Sequence, residues 1–116
     1  MATYTPKTIS CGFLTTSAAS VLTGETGKIK RVTSISFRNK NTSLVDVSIW
    51  FAPNDATNVR TVATDDQYEQ TSISLSAGDS TGILCGFTLG NNNDTIQMKA
   101  SVASVVSVTI DYIEEA

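Results

Sequence analysis

The chain has 116 residues and a net charge of −3; 41% of its residues are hydrophobic and only 16% are charged. This length fits a single domain, and the negative charge argues against binding to nucleic acid. Serine and threonine, at 14 and 17 residues, supply most of the polar surface. They suit strands whose outer face meets water, whereas helical surfaces usually carry Glu, Lys, Gln and Arg, so the composition argues against an all-helical protein.

The hydropathy and the first residues indicate a soluble protein made in the cytoplasm. No stretch approaches the roughly 20 continuous apolar residues of a membrane span, and the start lacks the apolar run of a secretory signal. The two cysteines, Cys11 and Cys85, are too few for a disulfide scaffold and fit buried free thiols. We therefore expect no membrane partner.

Hydrophobic alternation with a period of two predicts about seven strands. The clearest case runs from Val45 to Phe51, where apolar residues alternate with Asp46, Ser48 and Trp50. In chain order the predicted strands are residues 8–14, 28–38, 44–51, 71–75, 83–89, 95–100 and 106–112. Residues 18–22 fit one helical turn or a further short strand equally well.

Polar turns rich in Gly, Asn and Ser separate most of these segments. The exception is residues 52–70, because connections longer than ~12–15 residues are uncommon in a compact domain; residues 59–63 within it could form a short strand. Short strands at regular spacing predict an all-β protein, an antiparallel, jelly-roll-like β-sandwich of seven or eight strands. We assign this domain to residues 7–116, and residues 1–6 to an extended N-terminal arm that becomes ordered on assembly.

The inward phase of each strand predicts the core of the sandwich. In the second strand, Ile35 and Phe37 should face inward together with Ile29, and Val32 should face outward. The predicted core consists of Ile9, Phe13, Ile35, Phe37, Val45, Val47, Ile49, Ile73, Leu75, Ile83, Phe87, Ile96, Met98, Val106, Val108 and Ile110.

No residue pattern indicates catalysis. Histidine is absent, and with it the commonest general base; no nucleophile elbow, phosphate-binding loop or dinucleotide fingerprint occurs. The carboxylates near Asp65 and the oxygen ligands of residues 91–94 fit solvated loops better than an acid–base pair or a calcium site. We expect a protein that is not an enzyme, with no catalytic residue, no metal and no cofactor.

Charge and aromatic placement single out candidate partner-binding residues. Five of the eight basic residues lie on the second predicted strand and its turn: Lys28, Lys30, Arg31, Arg38 and Lys40. They predict either a solvated edge strand protected against aggregation, or a patch that docks on an acidic surface such as the loop of a neighbouring copy that carries Asp65 and Asp66.

Trp50 is the other candidate, because its phase opposes that of Val47 and Ile49 and places it on the second face of its sheet. Either the fold covers that face, or Trp50 joins Tyr4 and Tyr68 in an exposed aromatic contact that binds sugar or protein. The second reading would suit a carbohydrate-binding module.

Several segments resemble the small β-sandwich structural proteins of tailed bacteriophages. These are the stretch GKIKRVTSISFRNKN at residues 27–41, the stretch VDVSIWFAP at residues 45–53, and the segments at residues 74–80 and 93–101. The resemblance implies a virion protein without catalytic residues: a head decoration (cement) protein, or a small tail or baseplate component.

The head reading implies a protein on the capsid surface that binds the major capsid protein and stabilises the shell. Symmetry then favours a homo-oligomer, and a trimer over a dimer, since capsids offer local threefold positions. No nucleic acid partner is expected.

Overall fold

Nine strands form in the computed structural model, which describes residues 2–53, 69–84 and 86–116. In chain order they are β1 (Tyr4–Phe13), β2 (Ala19–Thr23), β3 (Ile29–Asn39), β4 (Val45–Ala52), β5 (Glu69–Leu75), β6 (Ser80–Leu84), β7 (Thr88–Leu89), β8 (Thr95–Ala100) and β9 (Val106–Glu115). No helix within these residues is long and apolar enough to cross a membrane.

The strands form two antiparallel sheets that pack face to face. The first sheet has the order β1–β9–β3–β6, with β7 also paired to β3, and the second has the order β2–β8–β4–β5. Because β6 and β7 share β3 as a partner, they act as one interrupted strand, which gives eight strands in two four-stranded layers. This is jelly-roll topology, so the predicted fold class is confirmed. The predicted strand at residues 83–89 is divided in the structure, because β6 ends at Leu84 and β7 begins at Thr88.

The core lies between the inner faces of the two sheets, where apolar residues alternate with polar ones. In β9 every second residue from Val106 to Glu114 is buried, and β4 buries Val45, Val47 and Ile49 in the same way. The most completely buried side chains are Phe37, Ile35, Ile49, Leu75, Leu89, Ile96, Met98, Ile110, Val45, Val47 and Val106. Residues 18–22 lie mostly in β2, so the strand alternative is the correct one.

A β-bulge in β3 reverses the expected phase of its first half. The pairing with β9 shifts between Val32 and Ser34, so Thr33 is an extra residue in the strand. Val32 therefore points into the core together with Ile35, and the prediction that Val32 faces outward is wrong. Ile29 lies opposite Glu115 and is only half-buried. A bulge adds one residue to one strand and so changes the face on which all preceding side chains lie.

A second bulge removes Phe13 from the predicted core. The pairing of β1 with β9 shifts between Ser10 and Gly12, and Phe13 pairs with Ser107 and is 48% exposed. Leu14 takes the buried position instead. Ile9 faces Ile110 but lies on an edge strand and stays partly exposed, so it is not a core residue either.

Half of the expected arm at residues 1–6, namely residues 4–6, belongs to β1. It is extended as predicted, but Tyr4, Thr5 and Pro6 pair with β9 within the same chain. Thr3 and Ala116 extend the ladder by two backbone hydrogen bonds of 2.8 and 3.0 Å. These residues are thus ordered within a single chain, whereas the sequence predicts an arm that becomes ordered only on assembly. The predicted short strand at 59–63 lies outside the described residues.

Asn39 ties together two connections at one end of the sandwich, those between β3 and β4 and between β5 and β6. Its fully buried side-chain amide donates to the carbonyl oxygens of Ser43, Leu75 and Ser76 at 3.0, 3.0 and 3.2 Å, and its Oδ1 accepts the backbone N–H of Asn41 at 2.9 Å. These four hydrogen bonds satisfy backbone groups of the two connections, and removing them costs free energy where the groups are shielded from water. Asn39 therefore fixes the end of β3, the turn that follows it and the end of β5.

We predict that Asn39→Ala lowers the free energy of unfolding by about 2–3 kcal/mol, because it leaves several backbone groups unsatisfied. Urea denaturation followed by circular dichroism measures the change. The matched control is Asn41→Ala, whose side chain bonds to Thr42 and Ser43 in exposed positions and should cost about 1 kcal/mol or less. Equal losses in the two variants would contradict the assigned role.

Candidate functional site

The five predicted basic residues divide between the two ends of β3. Lys28, Lys30 and Arg31 lie at its start, and Arg38 and Lys40 lie at its finish, about 33–40 Å from Lys28 at ~3.3 Å per residue. β3 is moreover an interior strand, paired with β9 on one side and with β6 and β7 on the other. The reading as a protected edge strand is therefore wrong, and no single patch contains all five residues.

At the start of β3 the basic residues belong to an intramolecular ionic cluster, which we define as Lys7, Glu25, Lys28, Lys30 and Glu114. Its closest ion pairs are Lys7–Glu114 and Lys30–Glu25, each with a nitrogen–oxygen distance of 2.8 Å. Lys28 lies 3.3 Å from Glu25 and 3.9 Å from Glu114, so it bridges the two carboxylates. The cluster joins β1, the β2–β3 turn, β3 and β9.

Two members of the ionic cluster are buried, and each obtains its partners from other elements. Lys30 donates to the carbonyl oxygen of Thr23 at 2.8 Å, and its ammonium group lies 5.8 Å from the centre of the Tyr112 ring. Glu114 is buried beside Lys7. A buried charge without a partner is strongly unfavourable, so Lys30 and Glu114 depend on these pairs, and Lys30 is engaged within its own chain.

The pKa values within the ionic cluster reflect this mutual stabilisation. The hydrogen bond from Lys7 lowers the pKa of Glu114, and the same contact raises the pKa of Lys7. Hydrogen bonds from Lys30 and Lys28 lower the pKa of Glu25. All three shifts favour the charged forms.

Arg31 and Tyr4 converge on Glu115 beside the ionic cluster. The Arg31 guanidinium lies 3.4 Å from Glu115 Oε2, and the Tyr4 hydroxyl donates to Glu115 Oε1 at 3.3 Å. Tyr4 is 62% exposed and remains available to a partner. Asp65 and Asp66, the acidic residues expected to complement the basic patch in a neighbouring copy, lie outside the described residues.

The opposite end of the sandwich carries three exposed apolar side chains, Phe13, Leu44 and Val102, with the cations Arg38 and Lys40 beside them. We call these five residues the apolar end. Phe13 and Leu44 are 48% and 55% exposed, and Val102 is also exposed. The Lys40 ammonium lies 5.2 Å from the centre of the Phe13 ring. Neither Arg38 nor Lys40 has an ion-pair partner among the described residues.

Backbone hydrogen bonds hold the loops of the apolar end together. The backbone N–H groups of Ser104, Lys40 and Ser101 donate to the backbone carbonyl oxygens of Leu14, Val105 and Asp46, at 3.1, 2.8 and 2.8 Å. The loops that carry Phe13, Lys40 and Val102 are thereby fixed relative to one another. Sequence reasoning placed Phe13 in the core and did not identify this surface; an apolar residue within a polar turn, as at Leu44, is the feature that could have indicated it.

Trp50 is covered by the fold. It is only 3% exposed, packs against Ala52 and Ala18, and has the Lys99 ammonium 5.6 Å from its ring. The covered alternative is therefore the correct one, and Trp50 is not part of an exposed aromatic contact. Tyr68 lies outside the described residues. The carbohydrate-binding alternative thus loses its main aromatic residue.

An open groove on the outer face of the first sheet does not restore that alternative. It has a volume of about 380 Å³ and is lined mainly by hydroxyl groups and Arg38 over the bare backbone of Gly82. Its one aromatic residue, Phe37, is buried beneath the sheet. Sugar binding by stacking needs an exposed ring, which this groove does not offer.

Comparison with known proteins gives similarity of fold alone. No protein-family model and no curated protein matches the chain. A chain from the disulfide-linked pili of Bacillus endospore appendages superposes with a TM-score of 0.52 at 17% identity, over 97% of this chain and 86% of that one. A chain from the virus-like particle of extra small virus of the prawn Macrobrachium rosenbergii gives a TM-score of 0.52 at 8% identity, over 98% and 79%.

We predict that the stability of the protein falls in acid as the ionic cluster loses its carboxylates. A lowered glutamate pKa contributes stability above the ordinary value of about 4.3, and this contribution is lost as the pH falls through the lowered value. Thermal unfolding measured from pH 7 to pH 3 should show this decrease.

The variant Glu114→Gln should lower the melting temperature at pH 7 and reduce its further decrease in acid. The matched control is Asp79→Asn, which removes an exposed carboxylate from the β5–β6 turn. An Asp79→Asn profile like that of Glu114→Gln would contradict a specific role for the cluster.

Proposed function

We propose that the chain is a non-enzymatic structural protein of a virion, specifically a decoration (cement) protein on the head of a tailed bacteriophage. The observation that carries the proposal is the jelly-roll topology over almost the whole described chain, combined with an apolar surface at one end. Jelly rolls are frequent in viral capsid and lectin domains. The burial of Trp50 favours the capsid class over the lectin class.

The apolar end is the surface that we propose to contact the major capsid protein. Phe13, Leu44 and Val102 are exposed there on loops held by hydrogen bonds, so little conformational entropy is lost on docking. Three side chains cover much less than the roughly 800 Å² per partner of a standard interface. Affinity for a shell would then depend on symmetric repetition of a modest contact.

The proposed arrangement is a homo-oligomer, with a trimer at local threefold positions of the capsid surface. Its production would take place in the host cytoplasm, and its place in the assembly would be the outside of the shell. The same fold and the same surface would also serve a tail or baseplate component. The fold shared with a pilus chain supports a subunit of a filament as a second candidate.

The test is binding to shells assembled from a major capsid protein encoded in the same genome as this chain. The protein is sedimented with these shells, and negative-stain micrographs of the protein alone show whether it forms filaments. We expect saturable binding to shells and no filaments. Filaments without shell binding would favour the pilus candidate, and binding to purified tails alone would favour a tail component.

The variant Leu44→Ser should weaken shell binding about tenfold, because a half-exposed leucine that becomes covered contributes ~1–1.5 kcal/mol. Leu84→Ser is the matched control: Leu84 is 90% exposed but lies on β6 opposite Ser34, away from the apolar end. A larger loss for Leu84→Ser would show that the contact lies on the outer face of the first sheet instead.

A further inference from the structure

β1 is a ten-residue strand that buries almost nothing. All of its residues are exposed except Cys11, which is half-buried. In β9, its partner, buried residues alternate with half-buried ones along the whole strand. Cys11 is the β1 residue that packs against the core, so β1 is held mainly by the backbone ladder and by polar side-chain contacts.

The polar side-chain contacts that hold β1 are made with β9. Thr8 Oγ1 donates to Asp111 Oδ1 at 2.6 Å, the Lys7 ammonium lies 2.8 Å from Glu114, and the Tyr4 hydroxyl donates to Glu115. The same contacts would form between β1 of one copy and β9 of another, because they depend only on the pairing of these two strands.

Glu114 makes an unoccupied β9 edge unfavourable. Its side chain is only 8% exposed, and its closest cation is Lys7 of β1. If β1 left, Glu114 would lose that cation and keep only Lys28 at 3.9 Å, and β9 would present an open ladder of backbone groups. Charge and backbone complementarity thus both favour a β1 segment at this edge, from either the same chain or a second copy.

Gly12 provides the hinge that such an exchange needs. It lies at the bulge of β1 with a φ of +69°, and no atom lies within 4 Å of where its Cβ would be. Two residues later, Leu14 is buried, and its backbone N–H donates to the carbonyl oxygen of Val106 at 2.9 Å. The chain is therefore anchored immediately after the hinge, and residues 4–11 can reorient as a segment that spans about 27 Å at ~3.3 Å per residue.

We infer that copies of this chain exchange β1, so that residues 4–11 of one copy pair with β9 of the next. This inference rests on the proposed function in one respect only, namely that copies of the chain associate. Exchange keeps the contacts of the closed monomer and adds a link between copies, so it becomes favourable where the local concentration is high, as in an assembly. Repeated around a threefold axis, it would join three copies in a ring.

The test uses disulfide formation across the β1–β9 pair. Every chain carries Cys11→Ser and Cys85→Ser; one chain carries Thr8→Cys, and a second chain with a different mass tag carries Asp111→Cys. Thr8 and Asp111 are register partners whose side chains touch. The two chains are unfolded, mixed, refolded together at high concentration and oxidised. The control pair joins Thr8→Cys with Ser48→Cys, which lies in the other sheet.

We expect a disulfide between the two tagged chains, with a yield several times that of the control pair and increasing with protein concentration. A second variant carries Thr8→Cys and Asp111→Cys in the same chain and is oxidised when dilute, which locks β1 onto its own β9. This lock should abolish self-association in sedimentation velocity runs, and reduction should restore it.

A yield no higher than that of the control pair would overturn the exchange, and so would a locked chain that associates as well as the reduced one. Failure of the strand exchange can be distinguished from failure of the proposed function. Chains that bind shells in saturable fashion but form no cross-chain disulfide would overturn the exchange alone.

Discussion

The contact between the inner faces of the two sheets is the interaction on which the rest of the structure depends. A strand with a period of two buries only one of its faces, so each sheet needs the other to exclude water from residues such as Ile35, Ile49 and Ile110. The jelly-roll order satisfies this need by placing most consecutive strands in opposite sheets; the exceptions are β4 and β5, which pair with each other, and the two halves β6 and β7 of the interrupted strand. Eight strands of modest length then share one core.

The two open ends of this core are closed by different chemistry. At the end that holds the chain termini, the inner faces of β3 and β9 carry Lys30 and Glu114, which are buried only because the ionic cluster pairs them. At the other end, Asn39 binds the carbonyl groups of neighbouring loops. One end is thus occupied by paired charges, and the other leaves apolar side chains exposed around a fixed set of loops. This asymmetry is the reason for assigning contact with a partner to the apolar end.

β-Bulges decide which side chains leave the core. The bulge in β1 turns Phe13 outward and makes Gly12 a hinge, and the bulge in β3 turns Val32 and Lys30 inward. Each bulge inserts one residue, and with a period of two a single residue changes the face. The insertion in β1 thus exposes Phe13 at the apolar end. It also places Gly12 at the base of the strand that we propose to exchange.

The sequence by itself determined the fold class, because serine and threonine content and period-two alternation are local properties that survive without tertiary contacts. It located most strands, from β3 and β4 to β8 and β9, and most of the inner face. It could not determine the phase of Val32 or Phe13, since bulges depend on how the partner strand pairs. Nor could it show that Lys28, Lys30 and Arg31 have ion-pair partners whereas Arg38 and Lys40 have none within residues 2–53, 69–84 and 86–116. Glu114 and Glu115 reach the start of β3 only through the pairing of strands distant in the chain. Charge partners across a sheet are set by register, and only the tertiary structure sets register between the first strand and the last.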